Sequence, residues 1–239
     1  MQRASISYVG MAGSFVIALS ACGGGHVSPA PPSTSFNLQA GYVNLVNMGL
    51  TTNVALSGTV LVNGISTPFN GTGTFTLAAA VSASFNNSPA LSQSETISGT
   101  VTAAGQSAPY ISTVVGYYAA GSGAVLGQST NSEYDVVQSP FTYPTSVVGG
   151  SSGILGTASR YADSTLSVSL GTTQMSYFVT APVDPASPVS VMLTNKIYDT
   201  QNTLTETDVF TYSLTTGSLL SFISATAQSA SGTLSVTAQ

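Results

Sequence analysis

The sequence predicts an all-β protein, in which an antiparallel meander forms a sandwich or a partly open barrel and one short helix lies near the amino terminus. Apolar residues alternate with Ser and Thr over much of the chain, and Gly, Asn, Asp and Pro residues separate the alternating segments. Only 5% of the residues are charged, so the solvent-facing sides of the strands must rely on hydroxyl and amide groups. Thr is β-branched and suits a strand, which makes this composition compatible with a sheet.

The single predicted helix covers residues 36–48. Three side chains recur there at helical spacing: Leu38, Tyr42 and Leu45. Ser35 is the expected N-cap, because its hydroxyl can accept a hydrogen bond from a free backbone N–H of the first turn. Gly49 stands where the helix should end.

An internal repeat in the first half predicts a duplicated β-hairpin. The tetrapeptide SGTV occupies residues 57–60 and recurs 41 residues later at residues 98–101. Each copy is followed at identical gaps by Gly, Ser, Pro and an aromatic residue: Gly64, Ser66, Pro68 and Phe69, then Gly105, Ser107, Pro109 and Tyr110. Asn63-Gly64 favours a type I′ turn. The Pro confines the second strand of each hairpin to an edge or a bulge, because Pro has no N–H for the ladder.

The second half predicts strands at residues 166–170, 175–179, 189–199 and 203–214. The last two form a hairpin around a turn at residues 199–202. The apolar residues of each strand fall on one face: Leu166, Val168 and Leu170; Met175, Tyr177 and Val179; Val189, Val191, Leu193 and Ile197; Phe210, Tyr212 and Leu214. Residues 138–153 are rich in Pro and Gly, and they predict either a domain boundary or a long crossover within one domain.

One motif of catalytic type is G-x-S-x-G at residues 149–153, which in serine hydrolases holds the nucleophile between a strand and a helix. Here the following residues are typical of strands, and the single His of the chain, His26, precedes Ser151. A triad needs a base that activates its serine, so a glycine-rich loop is the preferred interpretation. The sequence predicts no catalytic residue, and a hydrolase is only a distant alternative.

Two pairs of carboxylates and several tyrosines are the other candidates. Glu133 with Asp135, and Glu206 with Asp208, each share a strand face, which suits glycosidase or calcium chemistry. No calcium-loop motif accompanies them, and acidic pairs on exposed strands commonly serve solubility. Tyrosines are numerous enough to line a pocket: Tyr117, Tyr118, Tyr134, Tyr143, Tyr161, Tyr177, Tyr198 and Tyr212. Tyr in a strand more often packs at the core or rim. We therefore predict no metal site, no cofactor and no binding residue.

The charge balance excludes several partners. The chain has three basic and eight acidic residues, whereas a nucleic-acid-binding surface needs several Lys or Arg against the phosphates. Anionic lipid head groups are excluded as a binding surface for the same reason. The chain is long enough to bury a good core, and its single Cys allows no disulfide within one chain.

The first two dozen residues have the order of an exported precursor. Arg3 supplies a positive start, and the apolar run at residues 9–19 is well short of the roughly 18 apolar residues that span a membrane. The run ends in Leu19-Ser20-Ala21-Cys22, followed by three Gly. This segment resembles the lipobox of bacterial lipoproteins. The resemblance implies cleavage before Cys22, a diacylglycerol on its thiol, and a further acyl chain such as palmitate on the new amino group.

The resemblance divides the chain into residues 1–21, a lipoprotein signal peptide; residues 22–35, the lipidated Cys22 and a spacer; and residues 36–239, the β-rich domain. Two or more acyl chains anchor a protein stably to a membrane, and the Gly- and Pro-rich residues after Cys22 suit a spacer. In this family an Asp after the Cys is an inner-membrane retention signal. Gly23 therefore favours the outer membrane of a Gram-negative cell envelope.

Two functions are compatible with these observations. The first is a non-catalytic envelope lipoprotein, a structural or interaction protein that contacts other envelope proteins through uncharged strand edges. The alternative is a binding module whose curved sheet encloses an apolar small molecule or lipid. A concave apolar cavity would favour the second.

Overall fold

A computed structural model describes residues 34–182, 184 and 187–239. The described residues form one helix and thirteen strands: α1 (Leu38–Met48), β1 (Leu50–Val62), β2 (Ile65–Leu77), β3 (Val81–Phe85), β4 (Ser88–Ala103), β5 (Gln106–Tyr118), β6 (Val125–Ser129), β7 (Tyr134–Phe141), β8 (Ser152–Tyr161), β9 (Ser169–Val179), β10 (Val189–Tyr198), β11 (Leu204–Leu214), β12 (Leu220–Ser229) and β13 (Gly232–Ala238). In this part of the chain no helix has the length and apolar character that a membrane crossing requires.

The strands form one antiparallel sheet that closes into a barrel. From β4 to β13 each strand pairs with the next, β13 pairs with β1, and β1 pairs with β2. The pairing of β2 with β4 completes a ring of twelve strands, with β3 outside it. The predicted all-β antiparallel class with one short helix is confirmed. The sheet closes further than the predicted sandwich or partly open barrel, because residues 54–60 of β1 pair with the whole of β13 and β2 pairs with β4.

The strand β3 continues the line of β2 along β4 after a short interruption. Leu77 in β2 pairs with Glu95, and Val81 in β3 pairs with Ser92. The carboxyl end of α1 meets the barrel wall at this interruption. Gln93 is only 4% exposed, and its Nε2 lies 3.1 Å from the Leu45 carbonyl, 3.3 Å from that of Val46 and 2.9 Å from that of Ala78. Gln93 thus ties the last turn of the helix to the wall.

The helix begins two residues later than the sequence predicted. Asn37, not Ser35, is the N-cap: its Oδ1 accepts a hydrogen bond of 2.9 Å from the Ala40 N–H. The backbone of Phe36 is extended and pairs with Val147 through two hydrogen bonds of 2.8 and 2.9 Å. A residue held in such a bridge cannot enter a helix, so the first turn starts only after it. Gly49 ends the helix as expected, with φ +68°.

The predicted repeat is confirmed as two matching hairpins. The bounds of β1 and β2 at Val62, Ile65 and Leu77 recur 41 residues later, at the corresponding bounds of β4 and β5. Both two-residue turns have positive φ at each position: 52° and 78° at residues 63 and 64, and 48° and 75° at residues 104 and 105, as type I′ turns require. Pro109 lies in the part of β5 that pairs with β4 alone, as predicted for an edge.

In the second half the predicted hairpin of β10 and β11 is confirmed, but the strand predicted at residues 166–170 is wrong. Leu166 has φ +58° and lies in a turn, and β9 begins only at Ser169. The Asp163 carboxylate organises this turn by accepting a 2.8 Å hydrogen bond from the Thr165 N–H. Local side-chain bonding of this kind competes with a sheet ladder. Residues 142–151 connect β7 with β8, which are paired neighbours in the barrel.

The helix α1 lies across one end of the barrel, against a set of buried apolar residues that we call the apolar half: Phe36, Leu38, Val147, Val179, Val189, Val191 and Leu214. A second buried cluster lines the first and last strands, with Phe75 stacked on Phe222 at 4.1 Å between ring centroids. Gly41 allows the helix to approach closely, because a Cβ there would lie 3.0 Å from Leu214 Cδ1. The packing of α1 therefore fixes one end of the barrel interior.

Candidate ligand site in the barrel interior

The barrel encloses a cavity of about 180 Å³ below the helix. Its wall is assembled from the inward-facing positions of α1 and of strands β2 and β4 to β11. The lining is mixed rather than apolar: leucines and aromatic rings alternate with the side chains of Gln93, Glu95, Gln128, Asn195 and Asp208. The closed sheet thus surrounds a chamber that offers both apolar contact and hydrogen bonding.

Four tyrosines line the cavity, one from α1 and three from the barrel side: Tyr42, Tyr118, Tyr143 and Tyr212. The Tyr42 ring lies 4.0 Å from that of Tyr143 and 6.0 Å from that of Tyr118. The hydroxyls of Tyr42 and Tyr118 are 3.3 Å apart. Burial raises the pKa of Tyr118, Tyr143 and Tyr212 well above the usual value for tyrosine. These phenols therefore stay neutral and keep their hydroxyl protons at physiological pH.

Beyond the tyrosines the interior becomes acidic. We call the residues of this region the acidic half: Glu133, Asp135, Arg160, Glu206 and Asp208. Arg160 and Glu133 form a two-pronged ion pair, with Nε to Oε1 at 2.7 Å and Nη2 to Oε2 at 2.6 Å. The other basic residue in the described part of the chain, Lys196, is exposed. One guanidinium therefore faces four carboxyl groups in this half.

The carboxyl groups resist ionisation because they are enclosed together. Desolvation, with repulsion from Asp208, raises the pKa of Glu95 to about 7. Desolvation likewise raises the pKa of Asp135, where Glu133 adds repulsion, and that of Glu206, where Asp208 does so. The pKa of Asp208 is raised by desolvation too. Burial disfavours the charged form, and a like charge nearby disfavours it further.

A side chamber of about 30 Å³ adjoins the main cavity at Asp135 and Thr173. Asp135 is 2% exposed and Thr173 is 3% exposed. The Gln128 Nε2 donates a 2.9 Å hydrogen bond to Asp135 Oδ2. Asp135 Oδ1 and Thr173 Oγ1 have no hydrogen-bond partner among the described residues. Since buried polar atoms are almost always paired, these two atoms mark the side chamber as a place for a water molecule or another group that donates hydrogen bonds.

The structure corrects the interpretation of the acidic pairs. Both pairs were assigned to exposed strand faces that serve solubility, but Asp135 and Asp208 line the interior chambers, and all four residues are at least partly buried. It also brings Tyr118, Tyr143 and Tyr212 together, although no tyrosine was singled out from the sequence. Glu95 and Thr173 were not considered, and Arg160 entered only as one of the few basic residues in the charge balance. In the described residues no group of three or more His, Cys, Asp and Glu is placed to hold a metal ion.

Ser151, the centre of the G-x-S-x-G motif, lies just before β8 and is followed by a strand rather than a helix. Its Oγ accepts a 2.9 Å hydrogen bond from the Val148 N–H, which closes the glycine-rich loop. Cys22, the predicted lipidation site, and His26 lie outside the described residues.

No family model, curated protein or solved structure matches this chain. The class of protein is therefore defined by its own geometry. It is a closed twelve-stranded antiparallel barrel with a helix across one end and an acidic, tyrosine-lined interior.

Proposed function

We propose that this protein is a lipid-anchored envelope protein that binds a small molecule inside its barrel without transforming it. The observation that supports this most directly is the cavity of about 180 Å³ within a closed wall. For comparison, an engineered protein cavity of about 150 Å³ binds benzene. The cavity therefore suits a ligand of roughly that size rather than a lipid chain. Its polar lining favours a ligand that also forms hydrogen bonds.

Gentle purification followed by native mass spectrometry tests this function. We expect a stoichiometric small passenger, or uptake of one small molecule per chain from a fragment mixture. Leu155→Phe enlarges a side chain that lines the cavity and should abolish this uptake. Ile154→Phe makes the same change at a neighbouring position that is 68% exposed, and it should leave uptake intact. A chain that takes up nothing, or equal uptake by both variants, would contradict the proposal.

The lipid anchor is the second component of the proposal, and it rests on the lipobox resemblance at Cys22. Cys22→Ser should move the protein from the membrane fraction to the soluble fraction or leave the precursor uncleaved. Intact-mass analysis of the native protein should show a chain that starts at residue 22 and carries added acyl mass. An unmodified thiol at Cys22 would contradict it.

A surface interaction role is the second candidate, favoured by one stretch of β5. From Gln106 to Val114 this strand pairs with β4 alone, and Ile111 within it is 72% exposed. Such an edge accepts a strand from another protein. A photo-crosslinker at position 111 should then trap an envelope protein in cells, and one at the exposed Leu219 should not. The same products at both positions would count against strand addition.

A further inference from the structure

We propose that the side chamber binds the head of a primary ammonium ligand, whose small apolar body lies in the main cavity between the tyrosines and leucines. This inference rests on the proposed binding function and names the class of its ligand. It follows from three features of the interior: unpaired acceptors, an excess of carboxylates, and the junction of a polar chamber with an aromatic one.

The unpaired acceptors define the head group. Asp135 and Thr173 line the same chamber of about 30 Å³, and neither Asp135 Oδ1 nor Thr173 Oγ1 accepts a hydrogen bond from a donor in the described part of the chain. The Glu133 carboxyl beside Asp135 is paired with Arg160 and is itself an acceptor. Asn195, with an amide carbonyl, lines the chamber as well. An ammonium group carries three N–H donors and no acceptor. It therefore matches a chamber built from a carboxylate, a hydroxyl and an amide.

The charge of the interior selects a cation. Glu133 pairs with one edge of the Arg160 guanidinium, through Nε and Nη2, and Arg160 is the only arginine among the described residues. Asp135, Glu206 and Asp208 share the field of that one guanidinium. Glu95 on the cavity wall lies near Asp208 as well, so carboxyl groups outnumber the cations among the described residues of the interior. A bound cation offsets their mutual repulsion, whereas an anion would add to it.

The main cavity indicates the size and chemical character of the rest of the ligand. The two chambers share five lining residues: Val125, Gly127, Gln128, Met175 and Asn195. A head group in the side chamber therefore places its substituent against the rings of Tyr212 and Phe210. The main cavity of about 180 Å³ accepts an apolar group of about the size of benzene. The hydrogen-bonding acceptors favour a primary amine over a quaternary one, which has no N–H to donate.

Benzylamine is a suitable probe, with benzyl alcohol as its neutral isostere, benzoate as the anion and benzyltrimethylammonium as the quaternary cation. Isothermal titration of the purified protein at neutral pH should give an affinity for benzylamine at least about tenfold higher than for benzyl alcohol. Benzoate should show no binding, and the quaternary cation should bind more weakly than benzylamine.

Variants locate the head group. Asp135→Asn keeps the shape but cannot ionise opposite an ammonium group, so it should weaken benzylamine binding about tenfold or more and leave the affinity for benzyl alcohol unchanged. Thr173→Val removes one acceptor; it should weaken benzylamine binding several-fold while raising the melting temperature, because a buried unpaired hydroxyl is lost. Asp163→Asn, the same substitution at an exposed turn, is the control and should change neither affinity.

Two failures are distinguishable. Equal affinities for amine and alcohol, or equal effects of Asp135→Asn and Asp163→Asn, would overturn the ammonium inference and leave a cavity that binds neutral molecules. Absence of binding by all four probes, together with absence of any native passenger, would overturn the binding function itself. Should Asp135→Asn fail to fold, Thr173→Val decides the question by itself.

Discussion

The two ends of the barrel interior differ in what their side chains do for the protein. In the apolar half Val179, Val191 and Leu214 are fully buried and contact other apolar groups. Two of these strands continue into the polar region: β11 presents Glu206 and Asp208 of the acidic half, and β9 presents Thr173 of the adjoining side chamber. Asp208 and Thr173 have unpaired buried atoms. The strand β11 passes from one region to the other. One set of strands therefore supplies stability at one end and keeps a costly polar site at the other.

The two halves must respond differently to pH. The apolar half has no titrating group, so its contribution to the free energy of unfolding does not change with pH. The carboxyls of Glu95, Asp135 and Glu206 have raised pKa values in the folded protein. Between pH 5 and pH 8 these carboxyl groups therefore keep protons in the folded protein that they have already lost in the unfolded chain. Their contribution to stability is complete below the unfolded pKa, and it is lost as the pH rises through the folded pKa. The protein should be more stable near pH 5 than near pH 8.

Arg160→Met should have the largest effect and tests the acidic half. Removal of the guanidinium leaves the partly buried Glu133 without its partner, which costs about 3 to 5 kcal/mol at pH 8. The loss should be smaller at pH 5, where neighbouring carboxyls are protonated. Urea unfolding at both pH values measures it. Lys196→Met removes an exposed charge as control, and a comparable loss there would contradict the assignment.

Leu214→Ala tests the apolar half. Leu214 is 0% exposed and packs against α1, so its truncation should lower the free energy of unfolding by about 3 to 4 kcal/mol. The loss should be the same at pH 5 and pH 8. Leu219→Ala, at a position that is 51% exposed, should cost less than about 0.5 kcal/mol. A loss at Leu214 that varied with pH would remove the distinction between the halves.

Glu95→Gln sharpens the comparison by stabilising the protein. The pKa of Glu95 is about 7 in place of 4.5, and each pKa unit corresponds to about 1.4 kcal/mol. The variant should therefore gain about 3 kcal/mol over the wild type at pH 8 and almost nothing at pH 4.5. Chemical unfolding across this pH range shows the effect. A gain that persisted at pH 4.5 would mean that packing, not ionisation, is responsible.

Asn37→Ala should have the smallest effect and tests the start of α1 above the apolar half. Loss of the cap to the Ala40 N–H should cost about 1 kcal/mol. Ser35→Ala, at the residue that the sequence favoured as the cap, should cost clearly less. Thermal unfolding of the two variants side by side decides between them. A larger loss of stability in Ser35→Ala than in Asn37→Ala would indicate that Ser35 is the N-cap.

The sequence predicted local features well. Alternation, the offset of 41 residues and the Asn63-Gly64 turn yielded the hairpins and the class of fold. Closure of the barrel was not predicted, because it depends on pairing between β1 and β13, more than 170 residues apart. Nothing local in either strand specifies its partner. Leu166 was misassigned because apolar alternation continued into a turn whose geometry Asp163 sets.

The site was missed for a more specific reason. Charged residues on strands were interpreted as solvent-facing, yet Asp208 has the same parity as Phe210 and Tyr212, which were assigned to the core face. Side chains two apart in a strand point the same way. The sequence therefore contained the signal that Asp208 points inward. The convergence of Asp208 with Glu95, from β4, depends on the barrel and was beyond a reading of one strand.

The contact between β1 and β13 has a consequence for the speed of folding. Neighbouring strands elsewhere in the ring follow one another closely in the chain, so their hairpins can form early and independently. Thr59 and Thr233, 174 residues apart, exchange backbone-to-side-chain hydrogen bonds of 3.1 and 3.2 Å across this contact. Contacts of such sequence separation form slowly, because the entropy of a long loop must be lost first. During synthesis the ring therefore stays an open, aggregation-prone sheet until β13, Gly232–Ala238, has been made and can pair with β1.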